Sequence, residues 1–119
     1  MKLTYVVMDN FVYGLTKKQT SPTSPLGFKS KTDPTGAVDQ PINPMRTLLN
    51  TGATFVARSF SGDKAQLVPI IKAGLAHSGF AFIDVISPCV TFNDHEGSTK
   101  SYAYTREHNV EIVHADFVP

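Results

Sequence analysis

The chain has 119 residues, of which 41% are hydrophobic and 18% charged, and its formal net charge is +1 at pH 7. This balance is typical of one small globular domain and gives no reason to expect a nucleic-acid partner or binding to an anionic membrane. The single cysteine excludes an internal disulfide, and the sequence shows neither an apolar run of membrane-spanning length nor a secretory signal pattern, so we expect a cytoplasmic protein.

The first predicted element is an almost wholly apolar strand over residues 3–8. Asp9 and Asn10 follow it directly, at the carboxyl end of a strand, where open α/β sheets bind ligands. The amide oxygen of Asn10 and a backbone carbonyl just beyond it suit a hard cation such as Mg²⁺. Gly14 then allows a tight turn or the close approach of a ligand. A hydroxyl and two positive charges that can bind phosphate lie beside it, on Thr16, Lys17 and Lys18.

A long stretch without regular periodicity, residues 20–43, comes next and contains four prolines and two glycines. Loops of this length in compact domains are usually functional or disordered. Low charge and the apolar residues Leu26, Phe28 and Val38 favour an ordered loop packed on the rest of the protein. A flexible linker is the alternative.

Two helices and two strands are predicted after this loop. Asn43 as N-cap and Pro44 at the first helical position begin a helix, which Gly52 ends. A strand over residues 53–58 follows. The apolar face of the first helix is formed by Met45, Leu48 and Leu49.

The second helix is predicted from Asp63 and Gln66, a possible capping box. Pro69 is poorly tolerated deep in a helix, so we expect a start nearer Gln66 or a kink. Gly79 ends the helix and a strand over residues 80–86 follows. The buried stripe of this helix is predicted to be Leu67, Ile70, Ile71, Gly74 and Leu75.

The order strand–helix–strand–helix–strand predicts an α/β fold with a parallel sheet and flanking helices. Beyond Cys89 the pattern is weaker. A short helix over residues 99–107 and an edge strand over residues 110–114 are the predictions there.

Three motifs resemble, in the same order, the thiamine-diphosphate-binding β subunit of 2-oxoacid:ferredoxin oxidoreductases, with the 2-oxoglutarate type most similar. They are Asp9-Asn10-x-x-Tyr13-Gly14-Leu15-Thr16-x-x-Gln19 with the Ser/Thr/Pro run 20–25 behind it, residues 52–58, and residues 87–93. The resemblance implies oxidative decarboxylation of a 2-oxoacid with coenzyme A, in which electrons pass through a 4Fe–4S cluster to ferredoxin. It also implies an α-type partner subunit.

The resemblance further implies roles for single residues. Asn10 would give its side-chain oxygen and Val12 its backbone carbonyl to Mg²⁺. Thr16 would contact the diphosphate and Leu15 would border the reactive ring of the cofactor. From residue type alone, an asparagine after a strand is more often a turn former. The full set of implied cofactor contacts is Asn10, Val12, Tyr13, Gly14, Leu15 and Thr16.

Lys18 departs from the resembled pattern, because relatives often have glycine there. Cys89 is implied to be a ligand of the 4Fe–4S cluster, together with cysteines that are not in this chain. Judged by its type alone, a single cysteine is usually a small buried hydrophobe. Its position after Pro88, which ends the strand ladder, favours the functional reading.

The Gly-Asp-Gly motif of the resembled family, whose aspartate binds Mg²⁺, does not occur in the sequence. Residues 1–119 are therefore expected to form the C-terminal half of a thiamine-diphosphate-binding domain. Two alternatives stay open. One is a non-catalytic, stand-alone α/β module for interaction or assembly. The other is a different thiamine-diphosphate-dependent decarboxylase without iron–sulfur, which the Ser-Pro-Cys motif disfavours.

The other polar residues give weaker predictions. The four histidines show no metal-binding spacing, and His77 suits a helix C-terminus. Asp84 is predicted to accept hydrogen bonds from backbone near a strand end. Arg46 and Arg58 are interpreted as ion-paired surface residues. The sequence assigns no catalytic side chain.

Overall fold

The computed structural model describes residues 1–89, together with Ala103 and Glu107, which are both helical. Apart from those two residues, the helix predicted over 99–107 and the strand predicted over 110–114 lie outside the described residues. The elements, in chain order, are β1 (Leu3–Asp9), α1 (Pro44–Asn50), β2 (Phe55–Phe60), α2 (Lys64–Ala76) and β3 (Phe80–Ile86).

The three strands form one parallel sheet in the order β1-β3-β2. Val7 of β1 and Arg58 of β2 both align with Asp84 of the central strand. The predicted α/β class with a parallel sheet and flanking helices is confirmed. All three carboxyl ends meet at one edge of the sheet, where ligands bind in folds of this class.

The core is built around β3, in which every residue from Ala81 to Val85 is buried. A continuous apolar run of this kind is typical of a parallel strand covered on both faces. The outer strand β1 differs, because Tyr5 and Met8 are 54% and 68% exposed. The sheet is therefore well covered at its centre and poorly covered along β1.

Helix α2 packs against one face of the sheet through Gly74, its one buried residue. The Thr4 hydroxyl donates to the Gly74 carbonyl at 3.0 Å. A methyl group on Gly74 would lie 2.9 Å from Ile83 Cδ1, so glycine permits the close contact between helix and strand. Leu75, predicted to belong to the buried stripe, is 57% exposed.

Pro69 suggested either a start of α2 near Gln66 or a kink, and the later start is wrong, since the helix begins at Lys64. The Asp63 carboxylate accepts from the Gln66 N–H at 3.1 Å and caps the first turn one residue before Lys64. The helix continues through Pro69, which lies on its exposed side. Water can satisfy the carbonyl that the proline leaves without an N–H partner.

Helix α1 has the predicted ends. Asn43 Oδ1 accepts from the Arg46 N–H at 3.1 Å, and Gly52, with φ of +94°, donates its N–H to the Leu49 carbonyl at 3.2 Å. β2 starts two residues later than predicted, because the Ala53 N–H still bonds to the Leu48 carbonyl at 3.0 Å.

The irregular segment 20–43 is held by its own hydrogen bonds, for example from Gly27 N–H to the Ala37 carbonyl at 2.8 Å. The predicted packing of its apolar residues is found only in part, because Leu26 and Val38 are exposed and Phe28 is half-buried. The buried residues of the segment include Ser24 and Ala37. Hydroxyl groups fix this segment more than apolar contacts do. Within the described part of the chain, no helix is long and apolar enough to span a membrane.

Candidate functional site

A cavity of about 550 Å³ lies at the carboxyl end of β1. Its volume is within the range of small-molecule and cofactor sites. All six residues expected to contact a cofactor line it: Asn10, Val12, Tyr13, Gly14, Leu15 and Thr16. The walls also include Val7 and Met8 of the outer strand, so the cavity extends along the poorly covered edge of the sheet.

The loop after β1 is fixed by short-range hydrogen bonds. Asn10 Oδ1 accepts from the Val12 N–H at 3.1 Å, and the Thr16 hydroxyl donates to the Tyr13 carbonyl at 3.3 Å. Tyr13 also pairs with Gln19 in an antiparallel bridge. Leu15, expected to border the cofactor's ring, is 99% exposed at the tip of the loop. The loop therefore presents an apolar side chain and several oxygens to the cavity.

The sequence suggested a tight turn at Gly14, and residues 14–17 form one, closed by the bond from the Lys17 N–H to the Gly14 carbonyl at 3.1 Å. The left-handed residues of the loop lie elsewhere, because Gly14 has no positive φ. Positive φ angles occur at Phe11 (60°), Lys17 (66°) and Lys18 (70°). Residues with a β-carbon adopt this left-handed region at a cost, and glycine does so freely. A glycine at position 18, which the family resemblance implies, would adopt the conformation of Lys18 without this cost.

Asp9 joins the loop to two other segments. Its Oδ1 accepts from the Phe11 N–H at 3.0 Å and from the Thr23 hydroxyl at 2.8 Å. Its backbone carbonyl accepts from the Ser87 N–H at 2.9 Å. Burial raises the pKa of Asp9 above its usual value, although the bonds from Thr23 and Phe11 and the Arg58 charge oppose the rise.

We call the loop after β1, residues 10–19, the cofactor loop. The bond from the Ser87 N–H brings the Ser-Pro-Cys motif beside this loop. Pro88 is buried and Cys89 is half-buried, with a free thiol. A methyl group on Gly14 would lie 3.6 Å from Cys89 Sγ, which is an ordinary contact distance. The sulfur and the loop are therefore immediate neighbours.

The prediction that Asp84 accepts hydrogen bonds from backbone groups is wrong. It is fully buried in the middle of β3, where its Oδ2 binds Arg58 through Nε at 2.9 Å and Nη2 at 2.8 Å. Arg58 is ion-paired as predicted, and its side chain is 30% exposed. Among the described residues, Asp84 Oδ1 and Asp9 Oδ2 are buried without a hydrogen-bond partner.

Sequence reasoning missed the second wall of the cavity. It is formed by residues of the irregular segment and by the start of α1: Ser21, Pro22, Thr23 and Pro44. The run of serine, threonine and proline at 20–25 was the available signal, because such residues form hydrogen-bonded turns beside functional loops.

Within residues 1–89, no three histidine, cysteine, aspartate or glutamate side chains gather into a metal site. His77 accepts or donates a hydrogen bond with the Thr54 hydroxyl at 2.7 Å and packs against Phe55. Its role at the end of α2 is thus structural.

The family of this chain follows from its sequence profile. The profile described as thiamine pyrophosphate enzyme, C-terminal TPP binding domain, matches residues 1–85. The chain belongs to this family. Thiamine pyrophosphate is the thiamine diphosphate that the loop motif indicated, so the predicted fold class and cofactor are both supported.

Relatives of this thiamine pyrophosphate enzyme domain have names that agree with the family which the three motifs resemble. A 2-oxoacid:ferredoxin oxidoreductase subunit beta from Saccharolobus solfataricus is 44% identical over 109 residues, covering 92% of this chain and 35% of the relative. The 2-oxoglutarate oxidoreductase subunit KorB from Mycobacterium tuberculosis is 33% identical over 116 residues, covering 98% and 31%. The resemblance inferred from the three motifs is confirmed. The chain spans about a third of the length of these relatives.

A solved structure has the same fold as this chain. The 2-oxoglutarate:ferredoxin oxidoreductase from Magnetococcus marinus, with 2-oxoglutarate, coenzyme A and succinyl-CoA bound, matches with a TM-score of 0.81 and 40% identity. The match covers 89% of this chain and 35% of that chain.

The residues present fit part of a Mg²⁺–thiamine-diphosphate site. An amide oxygen has two lone pairs, so Asn10 Oδ1 can accept from the Val12 N–H and also bind a metal. Mg²⁺ is usually bound through one or two carboxylates in addition to phosphates. Asp9 is the one acidic residue among the described residues that line the cavity, and its Oδ1 already accepts from the Phe11 N–H and the Thr23 hydroxyl. The cavity thus provides one side of the site.

Proposed function

We propose that this chain is the C-terminal half of the thiamine-diphosphate-binding domain in the β subunit of a 2-oxoacid:ferredoxin oxidoreductase. In this proposal the complete subunit consists of the chain and the upstream segment that carries Gly-Asp-Gly in its relatives. The matched relatives are about three times as long as the aligned part of this chain, which supports a larger parent protein.

The observation that carries the proposal is the contact between two motifs. Residues 10–16 line the cavity, and Cys89 Sγ lies against Gly14 on the same loop. An enzyme that decarboxylates a 2-oxoacid and passes electrons to ferredoxin needs its cofactor close to an electron carrier. The two motifs that would hold these groups are adjacent here.

Thiamine diphosphate would supply the nucleophilic carbon and the electron sink for decarboxylation. The chain's own residues would bind and orient it. Asn10 Oδ1 and the Val12 carbonyl would hold Mg²⁺, and Leu15 would exclude water at the ring. Thr16 would contact the diphosphate by turning its hydroxyl away from the Tyr13 carbonyl, to which it donates at 3.3 Å. The backbone of Tyr13 and Gly14 would complete this wall of the site.

Cys89 would be one thiolate ligand of a 4Fe–4S cluster. Such clusters are held by four cysteines, and the chain has one, so the other three would come from the upstream segment. A cytoplasmic location belongs to this proposal, because the cysteine is assigned to a cluster and reducing compartments keep thiols available for such ligation.

The exposed outer strand supports the half-domain proposal. Leu3, Tyr5, Val6 and Met8 are each at least 41% exposed, although β1 is an apolar strand of a parallel sheet. Such strands are ordinarily covered on both faces. The upstream segment would cover β1 and close the open side of the cavity, where the aspartate of its Gly-Asp-Gly motif would add a carboxylate for Mg²⁺.

The partners of the complete subunit would be the α-type subunit, ferredoxin, a 2-oxoacid and coenzyme A. A 2-oxoacid like 2-oxoglutarate is the preferred substrate, since the Magnetococcus marinus enzyme was solved with 2-oxoglutarate and succinyl-CoA bound. Neither nucleic acid nor a membrane is expected as a partner, given the net charge of +1.

A chimaeric subunit tests this proposal. Residues 1–89 of this chain would replace the matching segment of the Saccharolobus solfataricus β subunit, which would be assembled with its own partner subunit. Ferredoxin reduction that depends on 2-oxoacid, coenzyme A and thiamine diphosphate supports the proposal. A folded, assembled chimaera that binds no thiamine diphosphate refutes it.

The stand-alone interaction module is a second candidate, because the exposed apolar β1 edge is also a surface on which another chain could add a strand. Calorimetric titration of thiamine diphosphate into the chimaera separates the two candidates. An interaction module would bring no cofactor affinity to the chimaera.

A further inference from the structure

Two hydroxyl groups of segment 21–24 hold the backbone of the cofactor loop from behind. The Thr23 hydroxyl donates to Asp9 Oδ1 at 2.8 Å, and the Ser24 hydroxyl donates to the Phe11 carbonyl at 2.7 Å. The Ser24 oxygen accepts in turn from the Ser21 N–H at 2.9 Å. Ser24 is 2% exposed, so its bond is shielded from water.

The residue held in this way is strained. Phe11 has a φ of +60°, which is unfavourable for a residue with a β-carbon. Strained residues persist only where the surrounding structure enforces them. Both sides of Phe11 are fixed here, because its N–H donates to Asp9 Oδ1 at 3.0 Å and its carbonyl accepts from Ser24.

Phe11 lies between the two proposed Mg²⁺ ligands. Its φ determines how the Asn10 side chain and the Val12 carbonyl are directed relative to each other. The Val12 N–H donates to Asn10 Oδ1 at 3.1 Å, which adds a direct link between the two ligand residues. If Phe11 relaxed to a negative φ, the direction of these two oxygens relative to each other would change.

Ser24 does not line the cavity, whereas Thr23 and Asp9 do. A buried side chain behind the wall cannot touch the cofactor, so any effect of Ser24 on cofactor binding passes through the loop. The Thr23 hydroxyl donates to the Asp9 carboxylate, and the same carboxylate accepts from the Phe11 N–H.

We propose that Thr23 and Ser24 are positioning residues that keep Phe11 in its left-handed conformation and so direct the two Mg²⁺ ligands of the loop. This inference rests on the proposed function, because it concerns the metal of the same site. It adds two residues that act through hydrogen bonds to the loop. Ser24, which lies behind the cavity wall, touches neither metal nor cofactor.

Metal preference is the measurement that a purely structural role would not change. Mg²⁺ demands near-ideal octahedral geometry, whereas Ca²⁺ accepts irregular and variable coordination. If the two ligand oxygens lose their relative orientation, the binding of Mg²⁺ should therefore weaken more than the binding of Ca²⁺. General destabilisation of the loop would lower the affinity for both metals by the same factor.

The experiment uses the complete subunit assembled with its partner subunit, in which thiamine diphosphate is titrated in the presence of Mg²⁺ or Ca²⁺. Ser24→Ala and Thr23→Val should each lower the ratio of Mg²⁺ to Ca²⁺ affinity roughly tenfold, while Thr23→Ser, which keeps the hydroxyl, should restore it. Thr51→Ala is the matched control, because that exposed hydroxyl bonds only within the end of α1.

A second readout needs no cofactor. Amide hydrogen exchange at Phe11 and Val12 should accelerate in Ser24→Ala and Thr23→Val, while exchange in β3 stays unchanged. Faster exchange together with the lowered metal ratio supports the proposal. An unchanged metal ratio in a variant that binds thiamine diphosphate overturns the positioning role and leaves the proposed function intact. A wild-type subunit that binds no thiamine diphosphate overturns both.

Discussion

The sulfur of Cys89 lies against the cofactor loop at Gly14, where an added methyl group would be 3.6 Å from it. Seventy-five positions separate the two residues in sequence. Their contact follows from the parallel pairing of β1 with β3, which brings both strand ends to one edge of the sheet. The bond from Ser87 N–H to the Asp9 carbonyl continues that pairing beyond the strands. The fold thereby places a thiol beside the wall of the cavity.

Replacement of Asn10 by alanine should weaken Mg²⁺-dependent binding of thiamine diphosphate to the complete subunit about tenfold or more, which corresponds to at least ~1.4 kcal/mol. The variant removes an oxygen proposed to bind the metal. Calorimetric titration at fixed Mg²⁺ measures the change. Asn50→Ala, at the exposed end of α1, is the control. Equal affinity of the Asn10→Ala variant and the wild type would remove Asn10 from the metal site.

Loss of the thiol should separate electron transfer from decarboxylation. We expect Cys89→Ala in the assembled enzyme to lose iron and the reduction of ferredoxin, because a 4Fe–4S cluster needs its four cysteines. Non-oxidative release of carbon dioxide should continue, since the cofactor loop is untouched. Iron analysis and the visible absorption spectrum of the cluster measure the outcome. Full iron content in this variant would show that Cys89 only packs against Gly14.

The Arg58–Asp84 pair should respond asymmetrically to mutation. Arg58→Met leaves the fully buried Asp84 carboxylate without its cation and should cost about 3 kcal/mol of stability. Asp84→Asn leaves behind a guanidinium that is 30% exposed and still hydrated, so its cost should be smaller, about 1 kcal/mol.

Urea unfolding of the complete subunit measures both changes, with Arg46→Met as the control for an exposed arginine. Similar unfolding midpoints for Arg58→Met and Asp84→Asn would contradict the asymmetry. They would mean that the Asp84 carboxylate is compensated by another group once Arg58 is removed.

The elements that the sequence predicted well are those with strong local signals. β3 is a continuous apolar run and was predicted with both ends correct, and Asn43 with Pro44 specified the start of α1. Pro69 misled the prediction for α2, because the cost of a proline falls when its helix face is open to water.

The Asp84–Arg58 pair was not predictable as a pair, because it depends on the register between two strands that α2 separates along the chain. The contact of Thr23 with Asp9 joins the irregular segment to the end of β1 across 14 residues, which no local pattern specifies. The loop motif predicted which residues line the cavity. Local sequence patterns do not specify which hydroxyl groups support that loop across the fold.

The central claim is that this chain forms one half of a thiamine-diphosphate site. Calorimetric titration of thiamine diphosphate with Mg²⁺ into the 119-residue chain by itself, monitored alongside by light scattering, tests it most directly. We expect weak or no binding, no turnover of 2-oxoacid, and association through the exposed β1 edge, with both solubility and binding restored in the complete subunit. A well-behaved monomer that binds the cofactor tightly would contradict it.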